Sequence, residues 1–138
     1  MTNVHTFPLR IYFEDTDAGG IVYYANYLKF AERARTEFMR SLGWDHSSLM
    51  KENGNMFVVR TCTLSCIAPA YLDDLVEVRT HCTEQGGASL TLVQEVFRGN
   101  TLITTLDVLL AYVNGKGKPT RLDSGLRTAL SNFDSEGS

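Results

Sequence analysis

The chain has 138 residues, 43% of them hydrophobic and 21% charged, so one soluble globular domain with a real core is expected and a disordered or fibrous chain is not. The formal net charge is −3, which gives no bulk attraction for nucleic acid or an anionic membrane. No apolar run is long enough to span a bilayer, and Met1 to Pro8 has neither the basic nor the apolar part of a signal peptide, so a cytoplasmic protein without membrane insertion is expected.

The first seven residues and residues 132–138 are expected to be flexible tails of a single domain covering 1–138. From Pro8 to Glu14, Leu9, Ile11 and Phe13 alternate with Arg10, Tyr12 and Glu14, a period of two that predicts a strand. Asp15-Thr16-Asp17-Ala18-Gly19-Gly20 breaks the alternation, and its paired glycines mark a tight loop.

The one strong helix follows. Tyr27, Ala31, Ala34, Phe38 and Leu42 recur at three-and-four spacing, with Leu28 and Phe30 widening the stripe. Arg33 and Glu37 stand four apart on the polar face and can pair. Asn26 or a residue just before it is expected to cap the start, and Gly43 to end the helix. Asp45 through Glu52 reads as a short second helix.

Beyond Asn55 the period becomes that of strands: Phe57–Ile67, Leu75–Gln85, Ala88–Arg98 and Thr101–Val113. Alternation is clearest in the second, where Val76, Val78, Thr80 and Cys82 oppose Glu77, Arg79, His81 and Thr83. Gly86-Gly87 and Gly99-Asn100 are hairpin turns, which makes the last three strands a meander. A short amphipathic stretch, Leu122–Leu130, closes the pattern. One long helix against a curved antiparallel sheet, an α+β fold, is the natural class, though strand order is not readable.

Three cysteines, Cys62, Cys66 and Cys82, form no CxxC pair. They read as reduced, buried structural thiols, with no metal site expected. His5, His46 and His81 lie far from the acidic loop in sequence, and His81 falls on the outward face of its strand. Ser47-Ser48 and Ser65 lack a nucleophile elbow.

The chemistry-bearing segment is Glu14 to Tyr27. It puts a carboxylate in a glycine-bearing loop one or two turns ahead of a helix start, where free N–H groups and the positive end of the dipole can stabilise an oxyanion. On residue types alone, an acidic loop before a helix is more often a turn and a cap. A thioester would nevertheless need little more. Its thiolate leaves readily, so one carboxylate can attack the carbonyl or activate a water without a strong general acid.

The string Tyr12-Phe13-Glu14-Asp15-Thr16-Asp17-Ala18-Gly19-Gly20-Ile21-Val22-Tyr23, continued by Ala25-Asn26-Tyr27-Leu28-Lys29-Phe30 and Glu32-Arg33-Ala34-Arg35-Thr36-Glu37, resembles the hotdog acyl-CoA thioesterases related to 4-hydroxybenzoyl-CoA thioesterase. It is closest to the branch associated with the Tol-Pal envelope system, the YbgC family. Pro69-Ala70 with Leu72-Asp73-Asp74, and Pro119-Thr120-Arg121-Leu122, extend the resemblance from about Leu9 to Leu122. The resemblance implies a hotdog fold and hydrolysis of an acyl-CoA to a free acid and coenzyme A, with no cofactor beyond the coenzyme A of the substrate. It implies Asp17 as the catalytic carboxylate and the backbone N–H of Tyr24 as the group that polarises the carbonyl. Tyr24 stands where many members of that branch have histidine; a backbone donor does not depend on the side chain. Gly19, Gly20, Ile21, Val22, Tyr23, Asn26, Tyr27, Pro69 and Tyr71 are the substrate-binding residues that follow.

The resemblance also implies a homodimer or homotetramer with sites at subunit interfaces, and acyl carrier protein as a possible donor of the acyl group. Asp15 is read as fixing the loop, Asp73 and Asp74 as marking a turn, and Glu32 as a solvated helix charge. Lys116, Lys118 and Arg121 are either partners of the coenzyme A phosphates or an ordinary basic turn. A non-catalytic module that binds acyl-CoA or acyl carrier protein is the alternative; Asp17 argues against it, since binding alone gains nothing from a negative charge beside an anionic ligand. A hydratase on the same fold would need a histidine that this chain lacks.

Overall fold

The computed structural model describes residues 3–43 and 54–133. Its elements run β1 (His5–Arg10), a 3-10 turn (Phe13–Asp15), α1 (Asn26–Ser41), β2 (Met56–Cys66), β3 (Leu75–Gln85), β4 (Ser89–Arg98), β5 (Thr101–Val113) and α2 (Ser124–Ser131). The expected helix at 45–52, His46 and Ser47-Ser48 lie outside the described residues.

The five strands form one antiparallel sheet in the order β1-β3-β4-β5-β2. Tight turns at Gly86-Gly87 and Gly99-Asn100 make β3, β4 and β5 the expected meander. Gly99 takes φ +59, a left-handed conformation that favours glycine. The chain reaches β2 only after crossing over with α1, which is why β1 and β2 end on opposite edges.

Inward side chains of the meander, including Val76, Val78, Leu92, Val96, Leu106 and Val108, pack against Phe30, Ala31, Ala34 and Phe38 of α1. The alternation read for β3 matches its burial, with Val76, Val78, Thr80 and Cys82 all inside. At the centre of the packing, Gln94 is fully buried. Its Nε2 donates to the Ala31 carbonyl (3.0 Å) and the Thr80 hydroxyl (3.1 Å), and its Oε1 accepts from Arg35 (2.9 Å). Phe133 meets Phe38 edge-on at 5.0 Å, and its carbonyl accepts the Cys82 N–H (2.7 Å), continuing the β3 edge where β1 ends.

Several local expectations are corrected. The first strand begins at His5 and stops at Arg10, so residues 5–7, expected to be flexible, pair with Val78, Arg79 and Thr80. Phe13 is 80% exposed, because the chain turns into a 3-10 helix there instead of continuing the strand. Of the two cap positions expected, the one just before Asn26 holds, since Ala25 is the cap, but no side chain caps the start. Leu28 lies half out of the stripe, and Glu37 pairs with Arg40 rather than with Arg33. Gly43 does end the helix, with φ +85. Of the cysteines, only Cys82 is buried; Cys62 is half-buried and Cys66 exposed. His81 is half-buried rather than on the surface. Among the described residues, no helix is long and apolar enough to cross a membrane.

Candidate active site

The acidic loop is a small hairpin. Thr16 and Val22 form a bridge, the Asp17 N–H donates to the Ile21 carbonyl (2.9 Å), and the Gly20 N–H returns to the Asp17 carbonyl (3.0 Å). Asp17 is thus held at both backbone groups. Its Oδ1 accepts the Gly19 N–H at 2.8 Å. A side chain on Gly19 would come within 3.2 Å of that oxygen, and Gly20 needs the left-handed region at φ +80. The two glycines therefore shape the turn that aims the carboxylate. They do not line the cavity beside it.

Asp15 fixes the loop, as read: its Oδ2 accepts the Tyr12 N–H (2.8 Å), and its carbonyl accepts the Tyr23 N–H (3.0 Å) and the Asn26 amide (2.9 Å). Asn26 is thereby a strut between loop and helix, away from the cavity wall. The chain enters α1 through tightened bonds, Asn26 to Tyr23, Tyr27 to Tyr24 and Leu28 to Ala25. Among the described residues, no protein acceptor takes the N–H of Tyr24, which stands at the positive end of the helix.

A cavity of about 480 Å³ opens beside this corner. Asp17, Ile21, Val22, Tyr23, Tyr24 and Tyr27 supply one side, and Cys66, Ile67, Ala68 and Pro69, at the end of β2, supply the other. The second wall is held by a bulge in β5. The pairing jumps from Val96–Thr104 to Phe97–Leu102, and the carbonyl of the extra residue, Ile103, accepts both the Ile67 and Ala68 N–H groups (2.9 and 3.1 Å). Cys66, Ile67 and Ala68 were not expected at the site. The alternation of β2 ends there, and the bulge on a different strand anchors Ile67 and Ala68 at the cavity wall.

Tyr27 is nearly buried, and its phenol lies against the Thr104 hydroxyl and the Ala70 backbone; burial pushes its pKa up, so it stays neutral. Tyr71 lies outside the cavity. It bridges to Ile21, and its ring sits 5.9 Å from the Arg98 guanidinium. The turn reading of Asp73 and Asp74 fits the geometry. Asp73 has φ 72, while Asp74 Oδ2 accepts the Tyr71 N–H (2.9 Å) and an Arg98 N–H (2.9 Å), and Arg98 also reaches the Pro69 carbonyl. Glu32 is exposed and lines a separate groove of about 390 Å³ with Arg35, Thr36 and Phe57. Among the described residues, no group of three or more His, Cys, Asp or Glu could hold a metal ion.

A helix wrapped by a five-stranded antiparallel sheet, with an acidic hairpin at the helix start, defines the hotdog class of fold. The family model described as the thioesterase superfamily matches residues 19–104. The chain belongs to that family and is a thioester hydrolase. It is 40% identical over 131 residues to an acyl-CoA thioesterase YbgC of Haemophilus influenzae, covering 94% of this chain and 96% of that protein. It is 42% identical over 127 residues to an acyl-CoA thioester hydrolase YbgC of Escherichia coli O6:H1, covering 91% and 94%. Among solved structures, a probable thioesterase from Bartonella henselae superposes with a TM-score of 0.84 at 35% identity, covering 88% of this chain and all of that one.

Proposed function

We propose that this protein hydrolyses acyl-CoA thioesters to the free acid and coenzyme A, with Asp17 as the catalytic carboxylate and the Tyr24 N–H as the oxyanion donor. The observation that carries the reading is their meeting on one cavity, a carboxylate and, at a helix start, an N–H with no protein acceptor among the described residues. The curated relatives named above carry the acyl-CoA substrate in their names.

In this mechanism the thioester carbonyl lies against the Tyr24 N–H, which stabilises the negative oxygen that forms when the carbon becomes tetrahedral. Asp17 Oδ1 is engaged by Gly19, which leaves Oδ2 for chemistry. Oδ2 either attacks the carbonyl, forming an anhydride that water then opens, or takes a proton from the water that attacks. In both routes the C–S bond breaks and coenzyme A leaves as the thiolate; in the first, water opens the anhydride at the Asp17 carbon, so the acid carries off an Asp17 oxygen and the water oxygen stays on Asp17, whereas in the second the water oxygen goes into the acid. No metal or further cofactor takes part. A single turnover in 18O water separates the routes: label enters Asp17 only through the anhydride.

Two further parts of the reading concern the assembly and the donor. Among the described residues β2 pairs only with β5 and no strand covers its outer edge, where Val58 and Val59 are exposed, so a homodimer or homotetramer that covers this edge is expected. Sedimentation at micromolar concentration tests it. The phosphopantetheine arm of acyl carrier protein presents the same thioester and is a second donor to assay. Free Cys62, Cys66 and Cys82 suit a reducing cytoplasm.

The deciding experiment is thioester cleavage by Asp17→Asn, followed at the thioester's own absorbance. Asn keeps the acceptor for Gly19 and loses the charge. Turnover should fall by about a hundredfold or more with folding intact. Near-normal turnover would refute the assignment.

A further inference from the structure

The walls of the active-site cavity differ sharply in exposure. Tyr23, Tyr24 and Ile67 are 48%, 59% and 56% exposed and form its mouth, whereas Val22 and Tyr27 are at 5% and 3%. The cavity therefore runs inward from the Asp17 corner to Tyr27. That residue is three positions beyond Tyr24, less than one helical turn, or about 5 Å along the axis. The Tyr27 ring cannot swing aside cheaply. Phe30 backs it edge-on at 5.8 Å, and its phenol lies against Thr104 and Ala70, both fully buried.

We propose that Tyr27 is the floor of the acyl site and sets the length of chain it accepts. The inference rests on the thioesterase reading above. With the carbonyl at the Tyr24 N–H and the sulfur toward the mouth, the acyl chain is the part that points inward. It meets the ring after only a few carbons. A longer chain must either displace a packed side chain or fold back among the exposed residues of the mouth. Specificity then follows from one side chain, because a floor rejects each further methylene by about tenfold or more in kcat/KM.

The test is kcat/KM for straight-chain acyl-CoAs from acetyl to palmitoyl, with the wild type, Tyr27→Phe, Tyr27→Leu and Tyr27→Ala. In the wild type the profile should fall steeply once the chain reaches the floor. In Tyr27→Ala the ratio of kcat/KM for the first rejected chain to that for the best chain should rise by about tenfold or more. Tyr27→Leu, which keeps much of the core volume but lacks the outer part of the ring, should show a smaller rise and serves if the alanine variant does not fold. Tyr27→Phe, with the ring intact, should keep the wild-type ratio. A flat wild-type profile, or a folded alanine or leucine variant with an unshifted profile, would overturn this inference alone. Failure of the wild type to cleave any acyl-CoA would overturn the thioesterase reading, and this inference with it.

Discussion

Replacing Gln94 by leucine should strip the α1–sheet contact of the only fully buried side-chain amide among the described residues. Three hydrogen bonds disappear: to the Ala31 carbonyl, to the Thr80 hydroxyl and from Arg35. The Ala31 carbonyl costs little, since it still accepts within the helix. Thr80 is fully buried and loses a partner, at about 1–3 kcal/mol. Arg35, half-buried in the groove beside Glu32, loses the one side-chain acceptor it has among the described residues while burial already pulls its pKa down, which adds a cost of about the same size. Leucine returns part of this as apolar burial, which leaves a net loss of about 1–4 kcal/mol. Urea denaturation followed by circular dichroism should show a midpoint about 1–3 M lower. Adding Arg35→Met removes the orphaned guanidinium, so the double variant should be more stable than Gln94→Leu alone. A single-variant loss below about 1 kcal/mol, or a double variant no better than the single, would refute the reasoning.

Tyr24→Phe should keep most activity and Tyr24→Pro should abolish it, because only proline removes the N–H; a phenylalanine variant as crippled as Asp17→Asn would move the role to the hydroxyl. His5 packs at 5.8 Å from Phe38, and burial lowers its pKa, with Glu37 opposing more weakly. Its contribution to stability is therefore complete above the unfolded value of about 6.5 and lost as pH falls below it, since the unfolded chain takes the proton first. His5→Phe should flatten the fall in melting temperature between neutral pH and mildly acidic pH, and an unchanged slope would discount His5. Cys66 is exposed and lines the cavity, whereas burial pushes the Cys62 thiol up and Cys82 is enclosed. Alkylation by a maleimide should thus inhibit through Cys66, be slowed by coenzyme A and be absent in Cys66→Ser, as mass spectrometry and residual activity can check.

Local order in the chain determined most of the elements. Period two in β3 and β5, glycine pairs at the hairpins, and three-and-four spacing from Tyr27 to Leu42 are short-range signals, so strand and helix bounds came within a residue or two for β2, β3, β4, β5 and α1. Asp17, the glycines beside it and the helix start are likewise contiguous, and one half of the site was legible as a string. The other half was not. Ile67 and Ala68 join the cavity, just beyond Cys66 at the end of β2, because a bulge at Ile103, about forty residues away, turns a carbonyl toward their N–H groups. Nor does spacing reveal that Asn26 braces the Asp15 carbonyl instead of capping the helix, or that Tyr71 faces Arg98 outside the cavity. Strand order, and with it the place of β2 at the end of the sheet, follows from which surfaces bury α1 best. That is a property of the whole packed chain, and no segment carries it alone.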